Sequence, residues 1–288
     1  MPRIVSNSEI TTYNSCELQH YYMYTLGLGP REPSMPIYRG TVGHKALEVY
    51  YKAMMDGYDI DTCTTYAMKV LEEELLHIAR EESWNFKKTA EINMIASRIG
   101  AYGDVYRQEP FKVVAVEEVF FAPMFEDTHL GCIPDLVVEY TRGPYNGQLA
   151  IYDHKFVYNF KTVDELKLDA QLPKYQRVMQ KLGYPVQHIV FNQVRTRDLK
   201  STQARDLFRR SECLATDHST EVLWQEQSAS VRRIDEGRPP IRALAPMVCK
   251  GCWFKDPCTA DMDGVSTEKI LRAGYVKRMR PLKEMFND

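Results

Sequence analysis

The sequence predicts an α/β fold in which a mixed central sheet is flanked by helices. Four runs rich in β-branched and aromatic residues predict strands, at 111–121, 136–140, 149–156 and 186–194. Helical patterns lie before and after these runs, so strands and helices alternate along the chain. Asn146-Gly147 stands between two of the runs, and this dipeptide between apolar strands is a strong hairpin signal. We therefore expect the hairpin between Gly131 and Phe156 to organise the chain.

The helices are predicted from apolar residues that recur at helical spacing. They are expected at 8–26, 40–56, 61–82, 88–108 and 163–182, with a further long helix that ends near Asp235. Ser8 is a candidate N-cap of the first helix, and 31–37 is expected to be a loop. In the second helix, Gly40 lies one turn before His44 and leaves the face beside the imidazole bare, so a close approach is expected there. A lone histidine on a helix is otherwise an ordinary core or surface residue.

Charged residues converge on the predicted hairpin. Side chains two apart on a strand share a face, so Asp153 and Lys155 point the same way, and Asp135 at the start of the paired strand can reach the same spot. Carboxylates are hard oxygen ligands for magnesium or manganese, and a lysine beside them can position a water or stabilise developing charge. This set suits phosphodiester hydrolysis. The alternative is a solvated strand face, but the apolar neighbours predict a buried strand, where a charge pair is costly without a task.

Further polar residues could join this site. Glu117 or Glu118, on the strand predicted at 111–121, could approach the carboxylates, although a salt bridge explains either residue equally well. Gln171 and Tyr175 lie four apart in a predicted helix and so share a face. Spacing alone favours an ordinary amphipathic helix for that pair.

Three cysteines towards the C-terminal end form a second candidate site. The pattern Cys249-x2-Cys252-x5-Cys258, with glycine and proline inside it, can wrap one metal centre that then needs a fourth ligand. Cys16 is the candidate, because it lies in an aromatic-rich predicted helix. The remaining cysteines are alternatives that read more simply as small buried hydrophobes: Cys63, Cys132 and Cys213. The spacing leaves both zinc and an iron–sulfur cluster open. If Cys16 is the fourth ligand, the site closes the long loop between Cys16 and Cys249. Closing this loop restricts the unfolded chain strongly, so the metal would be structural.

Composition limits the class of protein. The chain has 288 residues, of which 44% are hydrophobic and 26% charged, and its net charge is -2, so it is not a basic DNA-coating protein. Any contact with nucleic acid must come from local patches. Two segments, 195–210 and 269–283, are rich in basic residues. There is no apolar run long enough for a bilayer and no apolar leader, so we expect a cytosolic protein, free of membranes, without a disulfide framework.

Taken together, the motifs resemble the RecB-like branch of the PD-(D/E)XK nucleases. Within it they are similar to the subgroup with a four-cysteine iron–sulfur cluster, which includes CRISPR-associated exonucleases and nuclease domains of bacterial recombination complexes. The resemblance covers most of the chain in order. Its six elements are Cys16, Gly40-x3-His44, Asp135 after Pro134, Asp153-His154-Lys155, Gln171-x3-Tyr175 and Cys249-x2-Cys252-x5-Cys258. The cysteine triplet is the most specific, and six elements in the right order are hard to obtain by chance.

The resemblance implies a role for each element. The ligands of a catalytic Mg²⁺ or Mn²⁺ would be His44, Asp135, Asp153 and the backbone carbonyl of His154. Lys155 would act on the attacking water, while Gln171 and Tyr175 would contact DNA or steady the site. A structural 4Fe–4S cluster would be held by four cysteines: Cys16, Cys249, Cys252 and Cys258.

The resemblance also implies a single nuclease domain over 1–288, in which the cluster joins the N- and C-terminal regions. Its expected parts are an N-terminal helix with the cluster cysteine (1–30), a helical region with the histidine motif (39–108), a catalytic core (110–200), a long helix (201–245), and the cysteine cluster with a basic tail (246–288). Most of the helical region, about 45–108, would be an insertion that covers or feeds the active site.

The expected activity is metal-dependent hydrolysis of DNA by an exonuclease that acts on single strands or on duplex ends. Tyr38, Tyr50 and Tyr175 could stack unpaired bases, although core packing explains them equally well. The chain has no Gly-x4-Gly-Lys-Ser/Thr motif and is not expected to be a motor. The rivals are a non-catalytic DNA-binding subunit of a recombination or CRISPR-adaptation complex, an endonuclease of the same fold, an electron-transfer iron–sulfur protein, and the same nuclease with structural zinc. A homo-oligomer is compatible with the resemblance.

Overall fold

The computed structural model describes residues 2–80, 86–198 and 203–278. The strands in these residues are β1 (Arg3–Ser6), β2 (Leu28–Pro30), β3 (Phe111–Val116), β4 (Phe120–Phe125), β5 (Thr128–Cys132), β6 (Leu136–Tyr140), β7 (Leu149–Val157), β8 (Val186–Arg195), β9 (Phe208–Cys213) and β10 (Tyr275–Lys277). The α-helices are α1 (Asn7–Ser15), α2 (Glu17–His20), α3 (Met35–Met55), α4 (Ile60–Arg80), α5 (Phe86–Val105), α6 (Val163–Lys167), α7 (Gln171–Lys181), α8 (Asp217–Asp235), α9 (Pro246–Lys250), α10 (Lys255–Met262) and α11 (Glu268–Gly274).

The chain divides into two compact units. The central unit comprises Ser34–Phe120 and Ile133–Thr220. The terminal unit comprises Met1–Pro33, Phe121–Cys132 and Glu221–Asp288. The expectation of a single nuclease domain over 1–288 stays a prediction.

The central unit is built on a five-stranded sheet, and this sheet is mixed, as predicted. Its strand order is β3-β6-β7-β8-β9, with β7 and β8 parallel and the other neighbours antiparallel. The predicted hairpin is present as β6 and β7, in which Leu136 lies opposite Tyr152. Gly147 closes the turn with φ of 82°, a left-handed conformation that favours glycine. The mixed sheet flanked by helices is therefore confirmed.

Helices α3, α4 and α5 pack together with the sheet through one apolar core. Tyr50, Tyr51 and Tyr102 are each 0% exposed and lie at its centre. Tyr38 is also buried and donates to Glu74 at 2.6 Å, so core packing accounts for Tyr38 and Tyr50, and neither ring is free to stack on a base. The predicted loop at 31–37 is wrong in its last residues, because α3 begins at Met35 with a proline in its first turn.

Two predicted elements of the central unit need correction. The helix expected at 163–182 is two helices, α6 and α7, and Thr162 caps the first of them with a capping box to Glu165. The segment 195–210, expected to lead into a long helix, forms strand β9 from Phe208, and Ser211 lies opposite Phe191. The sequence did not predict this strand, because the adjacent Arg209 and Arg210 interrupt the alternation of apolar and polar residues that is typical of a strand.

The terminal unit begins with a strand that the sequence did not predict. β1 pairs in parallel with β5, and β4 completes a three-stranded sheet. The helix expected at 8–26 is broken: its N-cap is Ser6 rather than Ser8, and Cys16 is extended with φ of -165° between α1 and α2. A turn of π-helix follows at Tyr21–Thr25. None of the helices among the described residues has the length and apolarity needed to cross a membrane.

Candidate metal centre and cysteine site

Asp135 stands directly before β6, at the point where the hairpin strands bring it beside Asp153. Its Oδ2 accepts the backbone N–H of His154 at 2.5 Å and lies 3.4 Å from Nδ1 of His44. Burial opposes ionisation of this carboxyl, but the charge and hydrogen bond of His44 outweigh it and lower the pKa of Asp135. Asp135 is therefore an ionised, buried acceptor, which is the state that a cation requires.

Asp153 and Lys155 share a face of β7, as the strand period predicts. Lys155 Nζ lies 2.7 Å from Asp153 Oδ2, and Asp153 is 2% exposed. Burial, followed by repulsion from Asp135, raises the pKa of Asp153 to about 7 although Lys155 opposes the shift. Asp135 and Asp153 are thus held close together, and the attraction of Lys155 does not fully offset the cost of burial and of their mutual repulsion.

The Gln171 side chain contacts both Asp153 and Lys155. Its Nε2 donates to Asp153 Oδ1 at 3.2 Å and to the Tyr175 hydroxyl at 3.3 Å, while its Oε1 lies 3.5 Å from Lys155 Nζ. The shared helix face of Gln171 and Tyr175 is therefore turned towards the hairpin. Asp169, which sequence reasoning missed, approaches Lys155 at 4.0 Å and accepts the Gln171 N–H. Its only signal is its position just before α7.

Glu117 joins His44 and Asp135 in one group of donors. One ligand atom from each of the three lies within 4.8 Å of the others, and no other such group of three occurs among the described residues. Asp153 does not belong to it, because its oxygens face Lys155 and Gln171. Burial and the charge of Asp135 raise the pKa of Glu117 to about 7. Glu117 therefore lies beside the Asp135 carboxylate and the His44 imidazole, as the first of the two alternatives predicted.

The backbone at Glu117 is strained. Its φ is 51°, in the left-handed region that non-glycine residues seldom occupy, and its N–H donates to the Asp135 carbonyl at 3.3 Å. Strain of this kind persists where the surrounding structure imposes it, often at functional sites. Here the turn after β3 aims a carboxylate at Asp135.

An open cleft of roughly 510 Å³ gives access to these donors. It is lined by Gly40, His44, Glu117 and Asp135 among others. No atom lies within 4 Å of a side chain built at Gly40, so the bare face predicted beside His44 is open space. The glycine that permits close packing is instead Gly43, where a side chain would collide with the Phe156 ring.

His154 points its side chain to the opposite face of the sheet. The ring stacks on Tyr51 with centroids 5.5 Å apart, and Nδ1 lies 2.9 Å from the Asn192 amide nitrogen. Burial lowers the pKa of His154 to about 3, so the imidazole is neutral at physiological pH. The expected contribution of its backbone carbonyl to metal binding stays a prediction.

The four cysteines singled out by the sequence all lie in the terminal unit and are half-buried: Cys16, Cys249, Cys252 and Cys258. Burial raises the pKa of Cys252, and the charges of the other three thiols raise it further, which places all four in one neighbourhood. The remaining three are buried, as expected of small hydrophobes: Cys63, Cys132 and Cys213.

An aromatic shell surrounds the cysteine site. Phe254 stacks between Tyr22 and Tyr275, with ring centroids 5.0 Å away on each side. The Phe254 N–H donates to the Cys252 sulfur at 3.4 Å. β2 and β10 pair antiparallel beside it, so strand pairing also connects the two ends of the chain within this unit.

Comparison with known proteins identifies the superfamily. The sequence model of the PD-(D/E)XK nuclease superfamily matches residues 4–259. In the comparison with curated proteins, none matched.

Among solved structures, the chain is similar to a "putative exonuclease" from Eubacterium rectale, with a TM-score of 0.51 at 12% identity. The superposition covers 86% of this chain and 88% of that one, and at this identity the likeness concerns the fold alone. LHK-Exo in complex with dAMP gives a TM-score of 0.33 at 13% identity, over 67% of this chain and 92% of that one. A superposition this loose adds nothing on the site.

Proposed function

The chain belongs to the PD-(D/E)XK nuclease superfamily, and from this premise we propose that it is a metal-dependent exonuclease acting on DNA ends. The observation that carries the proposal is the convergence of two carboxylates and a lysine on the hairpin, beside a histidine and a third carboxylate on an open cleft. Buried acids with shifted pKa values cluster at functional sites, and the raised pKa values of Asp153 and Glu117 support the proposal.

The donor set fits a divalent metal. Imidazole and carboxylate oxygens are ligands of manganese and magnesium, and His44, Glu117 and Asp135 offer them within 4.8 Å of one another. We propose these three as ligands, with Asp153 and the His154 carbonyl as the others implied by the resemblance. When bound, Mg²⁺ or Mn²⁺ would lower the pKa of a bound water and neutralise phosphate charge.

Lys155 is suited to stabilise charge and to orient water. Burial opposes its protonation, but Asp153 outweighs this and raises the pKa of Lys155, so the ammonium stays charged at neutral pH. Its Nζ can donate to the phosphate oxygens as negative charge develops on them. Gln171, bonded to both members of the pair, fixes the direction in which Nζ points.

We propose further that the four cysteines hold a structural 4Fe–4S cluster. What supports the proposal is the cysteine pattern, Cys16 with Cys249-x2-Cys252-x5-Cys258, and the influence of the three other thiols on the pKa of Cys252. Four thiolates can hold such a cluster, and they can also hold a zinc ion, so the metal itself has to be measured. Visible absorbance and iron content of anaerobically purified protein test it, and a colourless, zinc-replete, active protein would refute it.

The nuclease proposal is tested by measuring cleavage of three DNA substrates in the presence of Mg²⁺ or Mn²⁺. Two are end-labelled and linear, one single-stranded and one duplex, and the third is closed circular DNA. Asp153→Ala runs beside the wild type, and Lys112→Gln, on an exposed ion pair with Glu139, serves as control. We expect shortening of linear DNA from one end, intact circles and an inactive Asp153→Ala that still binds DNA. Nicked circles would indicate an endonuclease. Binding without cleavage by the wild type would indicate a non-catalytic subunit.

A further inference from the structure

Three arginines of the central unit lie over aromatic rings without an acidic partner. The Arg195 and Arg209 guanidiniums lie 4.0 and 4.7 Å from the centroid of Phe160, and that of Arg197 lies 5.5 Å from Tyr158. Within the described residues, none of the three arginines forms an ion pair. Neighbouring arginines do form them, for example Arg39 with Glu91 and Arg98 with Asp198.

The backbone that carries two of these arginines is fixed by hydrogen bonds. The buried Arg98 donates through Nε to the Arg195 carbonyl at 2.9 Å and through Nη2 to the Arg197 carbonyl at 3.3 Å. Between them, Thr196 is buried and its hydroxyl accepts from Arg39 at 3.2 Å. Arg195 ends β8 and Arg197 follows in a bend, and the two are close enough for the charge of Arg197 to lower the pKa of Arg195.

The loop beneath the arginines is held in the same manner. Gln193 is buried, and its Oε1 accepts the N–H of Lys161 at 2.7 Å. Thr196 donates its N–H to the Val157 carbonyl at 2.8 Å. These bonds anchor both ends of the segment that carries Tyr158 and Phe160, so the aromatic rings are preorganised.

Arg195 and Arg209 share a sheet face with the hairpin carboxylate Asp153. In the register of the sheet, Arg195 lies opposite Val157 and Arg209 lies opposite Gln193. Val157 is four residues after Asp153, which places Arg195 about 13 Å along the strand direction from it. A strand of DNA cut at the hairpin spans such a distance with a few nucleotides.

The cluster carries uncompensated positive charge. Burial and then the like charges of Arg197 and Arg209 lower the pKa of Arg195, although Asp206 opposes them. A phosphate anion would relieve this repulsion, and the guanidinium is suited to phosphate because its donors form a planar fork. Tyr158 is 64% exposed, so its ring offers a surface for a base.

We propose that Arg195, Arg197 and Arg209, with Tyr158, form a binding site for the sugar–phosphate backbone of a single DNA strand that leads to the hairpin. The inference rests on the proposed nuclease function and deepens it by naming the strand form. An exposed ring stacks on a base only when the base is free of its duplex neighbours, and this favours a single strand over a duplex.

The test is equilibrium binding of a fluorescein-labelled single-stranded oligodeoxynucleotide in EDTA over a series of salt concentrations. Each lost phosphate contact lowers the slope of log K against log salt by about 0.7 for single strands, so R195Q/R197Q/R209Q should lower it by about 2. Loss of one stacked base in Tyr158→Ala should weaken binding by about tenfold. The charge-matched control is K69Q/R107Q/K112Q, whose residues are exposed on the same unit and should leave the slope unchanged.

The outcomes separate this inference from the proposed function. If the wild type cleaves DNA but the arginine variant keeps the slope of the control, the inference is wrong and the nuclease stands. Displacement of the labelled strand by duplex as readily as by unlabelled single strand would overturn the choice of strand form. A wild type that binds no single strand in EDTA would overturn the inference, and one that also cleaves no DNA with Mg²⁺ or Mn²⁺ would overturn the proposed function as well. Arg209→Gln alone, at an exposed position, should lower the slope by about 0.7 and guards against misfolding of the triple variant.

Discussion

The carboxylate site on the central hairpin and the cysteine site of the terminal unit are held in opposite ways. In the carboxylate site the functional groups bond one another: Lys155 lies 2.7 Å from Asp153, and the His154 N–H donates to Asp135 at 2.5 Å. In the cysteine site the surroundings supply the order, since Phe254 stacks between two tyrosines and its N–H reaches the Cys252 sulfur.

This difference indicates how each site responds to loss of its ligand. Charges that compensate one another keep their arrangement without an ion, apart from the repulsion between the carboxylates. Thiols gain a cross-link only from the group that binds them, and the free energy of that binding then becomes free energy of folding. We therefore expect loss of divalent metal to abolish cleavage and spare the fold, and loss of the proposed cluster to lower stability.

The largest effect should come from Lys155→Gln in the carboxylate site. The change removes the ammonium that pairs with Asp153, and cleavage should fall by about a thousandfold or more, the range for loss of a charge-stabilising or proton-handling group. The visible spectrum of the cluster should be unchanged. Single-turnover cleavage of end-labelled DNA measures the loss, and Lys112→Gln is the matched control. Cleavage within tenfold of the wild type would remove Lys155 from the chemistry.

The opposite response is expected from Cys252→Ser in the cysteine site. The variant should lose the visible absorbance and iron of the cluster, and its free energy of unfolding should fall by several kcal/mol, since a structural metal contributes on the order of 10 kcal/mol in small domains. Cys63→Ser is the control, because Cys63 is buried and donates to the Tyr58 carbonyl at 3.6 Å, a bond that serine can keep. Equal iron content and equal denaturation midpoints in the two variants would contradict a cluster at Cys252.

Repulsion within the carboxylate site should appear as a pH dependence of stability in EDTA. The pKa of Glu117 is raised from 4.5 to about 7, so the folded protein binds more protons than the unfolded chain between these values, and stability falls as pH rises through that window. Glu117→Gln should remove the share of this loss that Glu117 causes, which is at most about 3 kcal/mol by pH 7 and is reduced by solvent screening of this partly exposed group, and should leave the share caused by Asp153. Thermal melts at pH 5, 6 and 7 measure it.

The control for this effect is the neighbouring Glu118→Gln, at an exposed position. With saturating Mg²⁺ the order should reverse, because Glu117→Gln would bind the metal more weakly and gain less stability from it. A fall in stability from pH 5 to 7 that is as large in Glu117→Gln as in the wild type would contradict the raised pKa of Glu117, because only the share due to Asp153 should remain in the variant.

The sequence predicted the parts of both sites that depend on local periodicity, and missed those that depend on partners distant in the chain. The strand period placed Asp153 and Lys155 on one face, and the helix period did the same for Gln171 and Tyr175. By contrast, the position of Glu117 depends on a left-handed backbone conformation at Glu117 itself, where the sequence has no glycine to indicate it.

The missed secondary structure has the same explanation. β1 is four residues long and pairs with β5, far along the chain. The break at Cys16 likewise interrupts a pattern that locally favours one continuous helix. Tertiary pairing decides such segments, and their own residues do not reveal it.

The smallest effect should come from Gln171→Leu, which separates orientation from chemistry within the carboxylate site. The leucine keeps the bulk of the side chain but loses the bonds at 3.2 Å to Asp153 and 3.3 Å to Tyr175, and the approach to Lys155. A positioning role predicts a fall in the single-turnover rate of about tenfold, with DNA affinity in EDTA unchanged. If Gln171 instead contacts DNA, affinity should fall with it. Gln171→Glu is a second variant, whose carboxylate can still accept from Lys155 but repels Asp153. A positioning role predicts a lower rate with affinity in EDTA unchanged, whereas a DNA contact predicts weaker binding, because the new charge also repels phosphate.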